Sequence, residues 1–203
     1  MITIVHYGLG NIQAFADIYR RLNISVSVAQ SHCELAHAKK IILPGVGAFD
    51  WAMQRLNDSG MRETLDELVL DKKCPVLGIC VGMQMMARRS DEGELPGLNW
   101  VPGEVKRFDD STFTQKTHLP HMGWNDVQPR SEDCLFRDMV DARFYFLHSY
   151  YFLPDRADSV LASTDYNGQF ASAIRLGNVF GAQFHPEKSH EWGIQLLKNF
   201  AEL

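Results

Sequence analysis

The sequence has little of what would mark a disulfide scaffold or a zinc protein. Its four cysteines, Cys33, Cys74, Cys80 and Cys134, form no C-x-x-C pair. A chain of 203 residues with an ordinary core does not need cross-links. Each cysteine is therefore read as core filler or as a nucleophile in a reducing, cytoplasmic setting. No apolar run approaches the ~20 residues of a membrane span. The opening Met1-Ile2-Thr3-Ile4-Val5 is too short for a signal peptide and reads as a first strand. Positive charge is sparse and scattered: 20 Lys and Arg against 25 Asp and Glu give a net charge of −5, and no basic cluster is longer than pairs such as Lys39-Lys40, Lys72-Lys73 or Arg88-Arg89. That argues against nucleic acid as a partner. Repeats, low-complexity tracts and linkers are missing as well, so residues 1–203 read as a single domain. Hydrophobic residues at 45% and charged residues at 22% exclude a disordered chain.

What is present is an alternation of short apolar runs and helical patterns. Ile2–Val5, Ser25–Ala29, Lys40–Leu43 and Pro75–Ile79 read as strands. Between and after them, Ile12–Leu22, Ala48–Asn57, Met61–Leu70 and Val81–Arg89 read as helices. Such alternation predicts a parallel sheet flanked by helices. In the second half, Trp100–Phe108, Phe144–Leu147, Val160–Ser163, Ser172–Arg175 and Val179–Phe184 read as strands joined by short turns such as Asn167-Gly168 and Gly177-Asn178. Glu191–Ala201 reads as a closing helix. The expected class is α/β, with a mixed, mainly parallel central sheet carrying an antiparallel extension. The loop around Asp109–Thr117 is the most polar segment and is expected to be the most mobile.

Three short motifs carry chemistry. The first is G-x-C-x-G in Gly78-Ile79-Cys80-Val81-Gly82, between a buried strand and a helix. This is a nucleophile elbow with sulfur in place of a hydroxyl. It would hold Sγ at the carboxyl edge of the sheet, at a helix N-terminus that favours thiolate, with the Val81 N–H facing a developing oxyanion. The second is Gln183-Phe184-His185-Pro186-Glu187 at the end of an apolar strand, where His185 is placed to act as base and Glu187 to orient it. The third is Pro44-Gly45-Val46-Gly47, a glycine-bracketed turn able to supply a second oxyanion N–H. Each permits a blander account: close packing around a buried cysteine, a turn with a surface glutamate, a strand-ending turn. Their order along an α/β chain is harder to reach by accident.

Together these motifs resemble the triad-type, class I glutamine amidotransferases. Within that family the chain is similar over its whole length to the glutaminase subunits of imidazole glycerol phosphate synthases. The narrower resemblance rests on Leu119-Pro120-His121-Met122-Gly123-Trp124-Asn125, Tyr145-Phe146-Leu147-His148-Ser149-Tyr150 and Gln183-Phe184-His185-Pro186-Glu187-Lys188-Ser189. The resemblance implies that Cys80 attacks the glutamine side-chain amide and that His185 and Glu187 complete a catalytic triad. It implies that Val46 and Val81 form the oxyanion hole, and that Gly47, Gln84, Glu92, His148, Ser149 and Tyr150 hold glutamine. Met122, Trp124, Tyr145 and Lys188 match positions that face the partner, a (β/α)8-barrel cyclase subunit in a heterodimer that receives the ammonia for histidine biosynthesis. Trp and Met are also ordinary packing residues. The resemblance implies no metal and no organic cofactor. Relatives often carry Asp where this chain has His6. An alternative within the family is a paralogous glutaminase feeding a cyclase-like partner in bacterial surface amino-sugar synthesis. Outside it, a cysteine peptidase could use the same Cys80–His185 pair, and a flavodoxin-like regulatory module would leave the motifs unexplained.

Overall fold

The structure is a computed structural model that describes residues 1–114, 117–130 and 134–203. Residues 115–116 of the polar loop, and the side chain of Cys134, lie outside the described residues. The first half supplies the strands β1 (Ile2–Val5), β2 (Val26–Ala29), β3 (Ile41–Gly45), β4 (Val76–Cys80) and β5 (Arg89–Ser90). The second half supplies β6 (Gly103–Arg107), β7 (His121–Asp126), β8 (Gln128–Pro129), β9 (Arg143–His148), β10 (Tyr150–Pro154), β11 (Val160–Asp165), β12 (Gln169–Leu176) and β13 (Val179–Ala182). The helices are α1 (Ile12–Arg21), α2 (His32–Leu35), α3 (Phe49–Asp58), α4 (Arg62–Asp66), α5 (Val81–Gln84) and α6 (His190–Ala201).

Strands β2, β1, β3, β4 and β13 lie side by side and parallel. They continue antiparallel through β12, β10 and β6, and β5 pairs parallel with β6 at the far edge. Burial explains the first group. Strands β1, β3, β4 and β13 are buried at every residue, the continuous apolar pattern of strands covered on both faces. α1 packs on α6, with the Tyr19 hydroxyl donating to the Leu197 carbonyl at 3.2 Å. α3 packs on α5. β7 and β9 form a separate antiparallel pair in which Trp124 faces Tyr145 and His121 faces His148. The chain is thus the expected mixed α/β fold.

Several elements differ from expectation. The helix expected over Val81–Arg89 stops at Gln84. The carbonyls of Met85, Met86, Ala87 and Arg88 are taken instead by the N–H groups of Leu98, Val101, Asn99 and Gly97, so this stretch is held by a neighbouring loop rather than by its own helix. α4 ends early and runs on as a π-helical turn, Glu67–Asp71. α2, β7 and β10 were not expected.

The register brings the chemistry together. Gly45 lies opposite Cys80 on β3 and β4, and Ile79 opposite Ala182 on β4 and β13. Three adjacent parallel strands therefore end on one edge, where open α/β sheets form their sites.

Candidate active site

Cys80 ends β4 at φ 54° and ψ −113°, outside the regions a side-chain-bearing residue occupies without strain. The flanking backbone is too close for larger residues. A Cβ on Gly82 would lie 2.0 Å from the Leu43 carbonyl oxygen, and one on Gly45 only 2.3 Å from the Gly82 nitrogen. The elbow and the end of β3 thus pack backbone against backbone. Since α5 has four residues, its dipole is small, and the charge that favours thiolate has to come from elsewhere.

That charge is His185, which follows β13 and is 3% exposed. Its Nδ1 donates to Glu187 Oε1 at 2.8 Å, which directs Nε2 towards the sulfur. Burial alone would lower the imidazole pKa, but hydrogen bonds and charge from Cys80 and Glu187 outweigh it and push it up to about 10. The imidazole is cationic at neutral pH, and a neighbouring His cation is one of the environments that favour a thiolate. The other carboxylate oxygen of Glu187 is buried without a hydrogen-bond partner. The structure thus brings Cys80, His185 and Glu187 together. Ser189 fixes their loop: its hydroxyl donates to the His185 carbonyl at 2.6 Å and accepts from the Tyr145 N–H at 3.0 Å.

A cavity of about 340 Å³ opens over the sulfur. Val46, Gly47, Val81, Gln84, Glu92, His148, Ser149 and Tyr150 all line it, together with Lys188. Pro120 and Leu147 also line it, and the sequence reading assigned them no role. Glu92 spans the cavity wall to α3, where its Oε2 accepts from the Phe49 N–H at 2.9 Å. Burial holds the Glu92 carboxyl above its ordinary value, against the Phe49 hydrogen bond, with Asp50 adding to the rise.

His148 lines the cavity, but both its ring nitrogens are engaged. Nδ1 donates to the Tyr150 carbonyl at 2.9 Å, so Nε2 accepts, from His121 Nδ1 at 2.9 Å. His121 Nε2 in turn accepts from Asn125 Nδ2 at 3.2 Å. Burial lowers the His121 pKa to about 4. Burial and the neighbouring histidines lower that of His148 to about 3. Both rings are neutral. The expectation that His148 holds glutamine is thus narrowed to its backbone and ring face. Gln84 Nε2 donates to the Tyr150 carbonyl and to Gln183 Oε1, each at 3.0 Å, which leaves Gln84 Oε1 as its free polar atom. His121, Gln183 and Ser189 all lie inside the quoted motifs, yet the sequence reading gave them no part. Gln183 carried no local signal, since its place beside Cys80 follows from the pairing of β13 with β4.

Met122, Trp124, Tyr145 and Lys188 gather around the β7–β9 pair beside this pocket. Met122 is 64% exposed and Trp124 38%. Trp124 stacks on His190 with centroids 5.3 Å apart, and Lys188 Nζ lies 5.8 Å from the Tyr145 ring centroid. His6 faces a different cavity, where its Nδ1 accepts from the Gly8 N–H. Cys33 and Cys74 are free thiols away from the pocket. Burial pushes the Cys74 thiol up despite Lys39 nearby, which makes it a poor nucleophile. Among the described residues, no group of three His, Cys, Asp or Glu side chains is set to hold a metal ion, and no helix is long and apolar enough to cross a membrane.

The model of the family Glutamine amidotransferase class-I matches residues 3–203. Curated relatives named imidazole glycerol phosphate synthase subunit HisH include one from Bdellovibrio bacteriovorus, 60% identical over 100% of both chains, and one from Leptospira interrogans, 46% identical over 100% of both. The fold is similar to a solved structure described as a glutamine amidotransferase, with a TM-score of 0.76 at 17% identity over 100% of this chain and 99% of that one. It is also similar to a glutamine amidotransferase from Thermotoga maritima, with a TM-score of 0.63 at 20% identity, covering 92% of this chain and 75% of that one.

Proposed function

The chain belongs to the class-I glutamine amidotransferases, and from that premise we propose that it is the glutaminase subunit of an imidazole glycerol phosphate synthase. In this reading it is a cytoplasmic protein that hydrolyses glutamine to glutamate and ammonia and passes the ammonia to a (β/α)8-barrel cyclase, its partner in a heterodimer of histidine biosynthesis. The names of full-length relatives at 60% and 46% identity support the choice of acceptor over a surface sugar.

One observation carries the chemistry: an imidazolium braced by a buried carboxylate, beside a sulfur held on a strained elbow. Sγ attacks the side-chain carbonyl carbon of glutamine, and the carbonyl π pair moves onto oxygen. The N–H groups of Val46 and Val81 stabilise that oxyanion. As the intermediate collapses, the C–N bond breaks and His185 hands its proton to the departing nitrogen, which leaves as ammonia. A glutamyl thioester remains on Cys80. His185, now neutral, takes a proton from water as the water oxygen attacks the thioester carbon. The C–S bond then breaks, and glutamate and the thiolate–imidazolium pair are released. The Glu187 carboxylate, bonded to His185 Nδ1, offsets the imidazolium charge. Gln84 Oε1 and Glu92 offer acceptors for the ammonium end of glutamine.

The test is Cys80→Ala in the reconstituted complex. Glutamine-dependent synthesis is expected to vanish while synthesis from added ammonia persists, because only the nitrogen source is removed. Retained glutaminase activity in Cys80→Ala, with loss in Cys74→Ala, would overturn the assignment.

A further inference from the structure

The Cys80 sulfur has two polar neighbours that the mechanism above leaves unused. The Leu147 carbonyl oxygen lies 3.9 Å from Sγ and can accept only from the neutral thiol. Gln183 Nε2 lies 3.8 Å from Sγ and donates to it. When the proton passes to His185, the first contact turns from attraction to repulsion, while the second becomes a charge-assisted hydrogen bond.

The orientation of the Gln183 amide is not free. Its side chain is fully buried. The Tyr150 carbonyl can only accept, so Gln84 must turn its Nε2 that way. That same Nε2 also meets Gln183 Oε1, so Gln183 must present oxygen to Gln84 and nitrogen to sulfur. His148 Nδ1 donates to the same Tyr150 carbonyl from the other side and holds it in place. A flipped Gln183 amide would set nitrogen against nitrogen at Gln84 and oxygen against the thiolate.

We propose that Gln183 is a further member of the catalytic machinery, a buried amide donor that stabilises the Cys80 thiolate against the Leu147 carbonyl. It thereby sets how much of the sulfur is ionised before glutamine arrives. The inference rests on Cys80 being the nucleophile. The titratable groups that face the sulfur are His185 after β13 and the buried Tyr7 phenol beyond β1. Glu92, His148 and Lys188 stand around the pocket wall. Gln183 adds a donor that does not titrate, so replacing it moves the thiol–imidazole pair without adding a proton site unless a carboxyl is introduced.

The experiment is the pH dependence of Cys80 alkylation by iodoacetamide in the full-length chain, read by mass on the Cys80 peptide. Wild type, Gln183→Met and Gln183→Glu are compared. Losing the donor in Gln183→Met is expected to move the low-pH limb of the alkylation profile up by about one pH unit, so that alkylation at a fixed pH on that limb slows about tenfold. Gln183→Glu, which sets a second oxygen against sulfur, is expected to move it further. In complex with the cyclase, both variants are expected to lose kcat with KM for glutamine changed less. Profiles of both variants that superimpose on wild type would overturn the inference. If Gln183→Met has no cooperative melting transition, Gln183→Glu, nearly isosteric with glutamine, decides alone. Labelling with the glutamine-like electrophile 6-diazo-5-oxonorleucine separates the two levels. Wild type modified at Cys33 or Cys74 and not at Cys80 would bring down the nucleophile reading and this inference with it. Modification at Cys80 with unshifted variant profiles would bring down the role of Gln183 alone.

Discussion

At Cys80 the backbone holds a conformation that costs roughly 1–3 kcal/mol for a residue with a side chain. The fold tolerates it because the neighbouring contacts are backbone on backbone and leave the turn no alternative. His185 shows how burial and charge oppose each other at one group. Desolvation would make it a weak base, and two hydrogen-bonded partners make it a cation instead. His185→Ala is therefore expected to lower glutamine hydrolysis by several orders of magnitude, since proton donor and acceptor are lost from both half-reactions. Glu187→Gln is expected to cost less. The amide oxygen can still accept from Nδ1, and only the negative charge is lost. Steady-state glutaminase rates across pH 6–9 check both, and equal rates for wild type and His185→Ala would remove His185 from the triad. These residues could be read from the sequence because each sits at a glycine- or proline-marked strand end. Gln183 could not, because its role depends on which strand lies beside β4, and pairing across a parallel sheet leaves no local trace.

Among the elements, β7 shows why part of the fold stayed hidden. Strands are recognised by apolar residues at alternate positions. In β7 the alternation is inverted, with Met122 and Trp124 outward and His121 buried among aromatic rings. The buried side chain is a histidine, and the exposed ones are large and apolar. The helix expected after Cys80 failed for a related reason: its apolar residues are core residues, yet their carbonyls belong to the loop at 97–101. The histidine pair on β7 and β9 has a consequence for stability. Both folded pKa values lie below the ordinary value near 6.5, at about 4 and about 3. Below pH 6.5 the unfolded chain therefore binds protons that the folded chain refuses. Stability is full above that pH and declines as pH falls towards 4. By linkage, each histidine is expected to cost about 2 kcal/mol at pH 5. Denaturant titrations at pH 7 and pH 5 check this. In His121→Phe, which keeps the ring stack, the difference between the two pH values is expected to shrink by about half. That variant is also expected to lose about 1–3 kcal/mol at pH 7, because His148 Nε2 is left without a donor.

On the scale of the whole molecule, the pocket sits where the parallel half of the sheet meets its antiparallel extension, beside the exposed side chains of Met122 and Trp124. The strand carrying Tyr145 is tied to the base: the Tyr145 carbonyl accepts from the His185 N–H at 2.9 Å, and its N–H reaches Ser189. Ammonia released into water is wasted, so the isolated chain is expected to hydrolyse glutamine weakly. Cyclase and acceptor together are expected to raise the rate at least about a hundredfold, the range an oxyanion donor can supply. Glutamate release with and without the cyclase measures it, and full activity in isolation would mean a stand-alone glutaminase. The close contact of Gly45 with Gly82 limits what such activation can look like. Below Val46 the chain is locked to the elbow. At Gly47, with φ +85° and open space where a Cβ would be, it is not. The change expected on activation is a turn of the peptide plane that carries the Val46 N–H, which brings that N–H to the oxyanion position. A complex switched on this way would keep the same envelope and scattering profile, and the amide resonances of Val46 and Gly47 would carry nearly the entire record of the change.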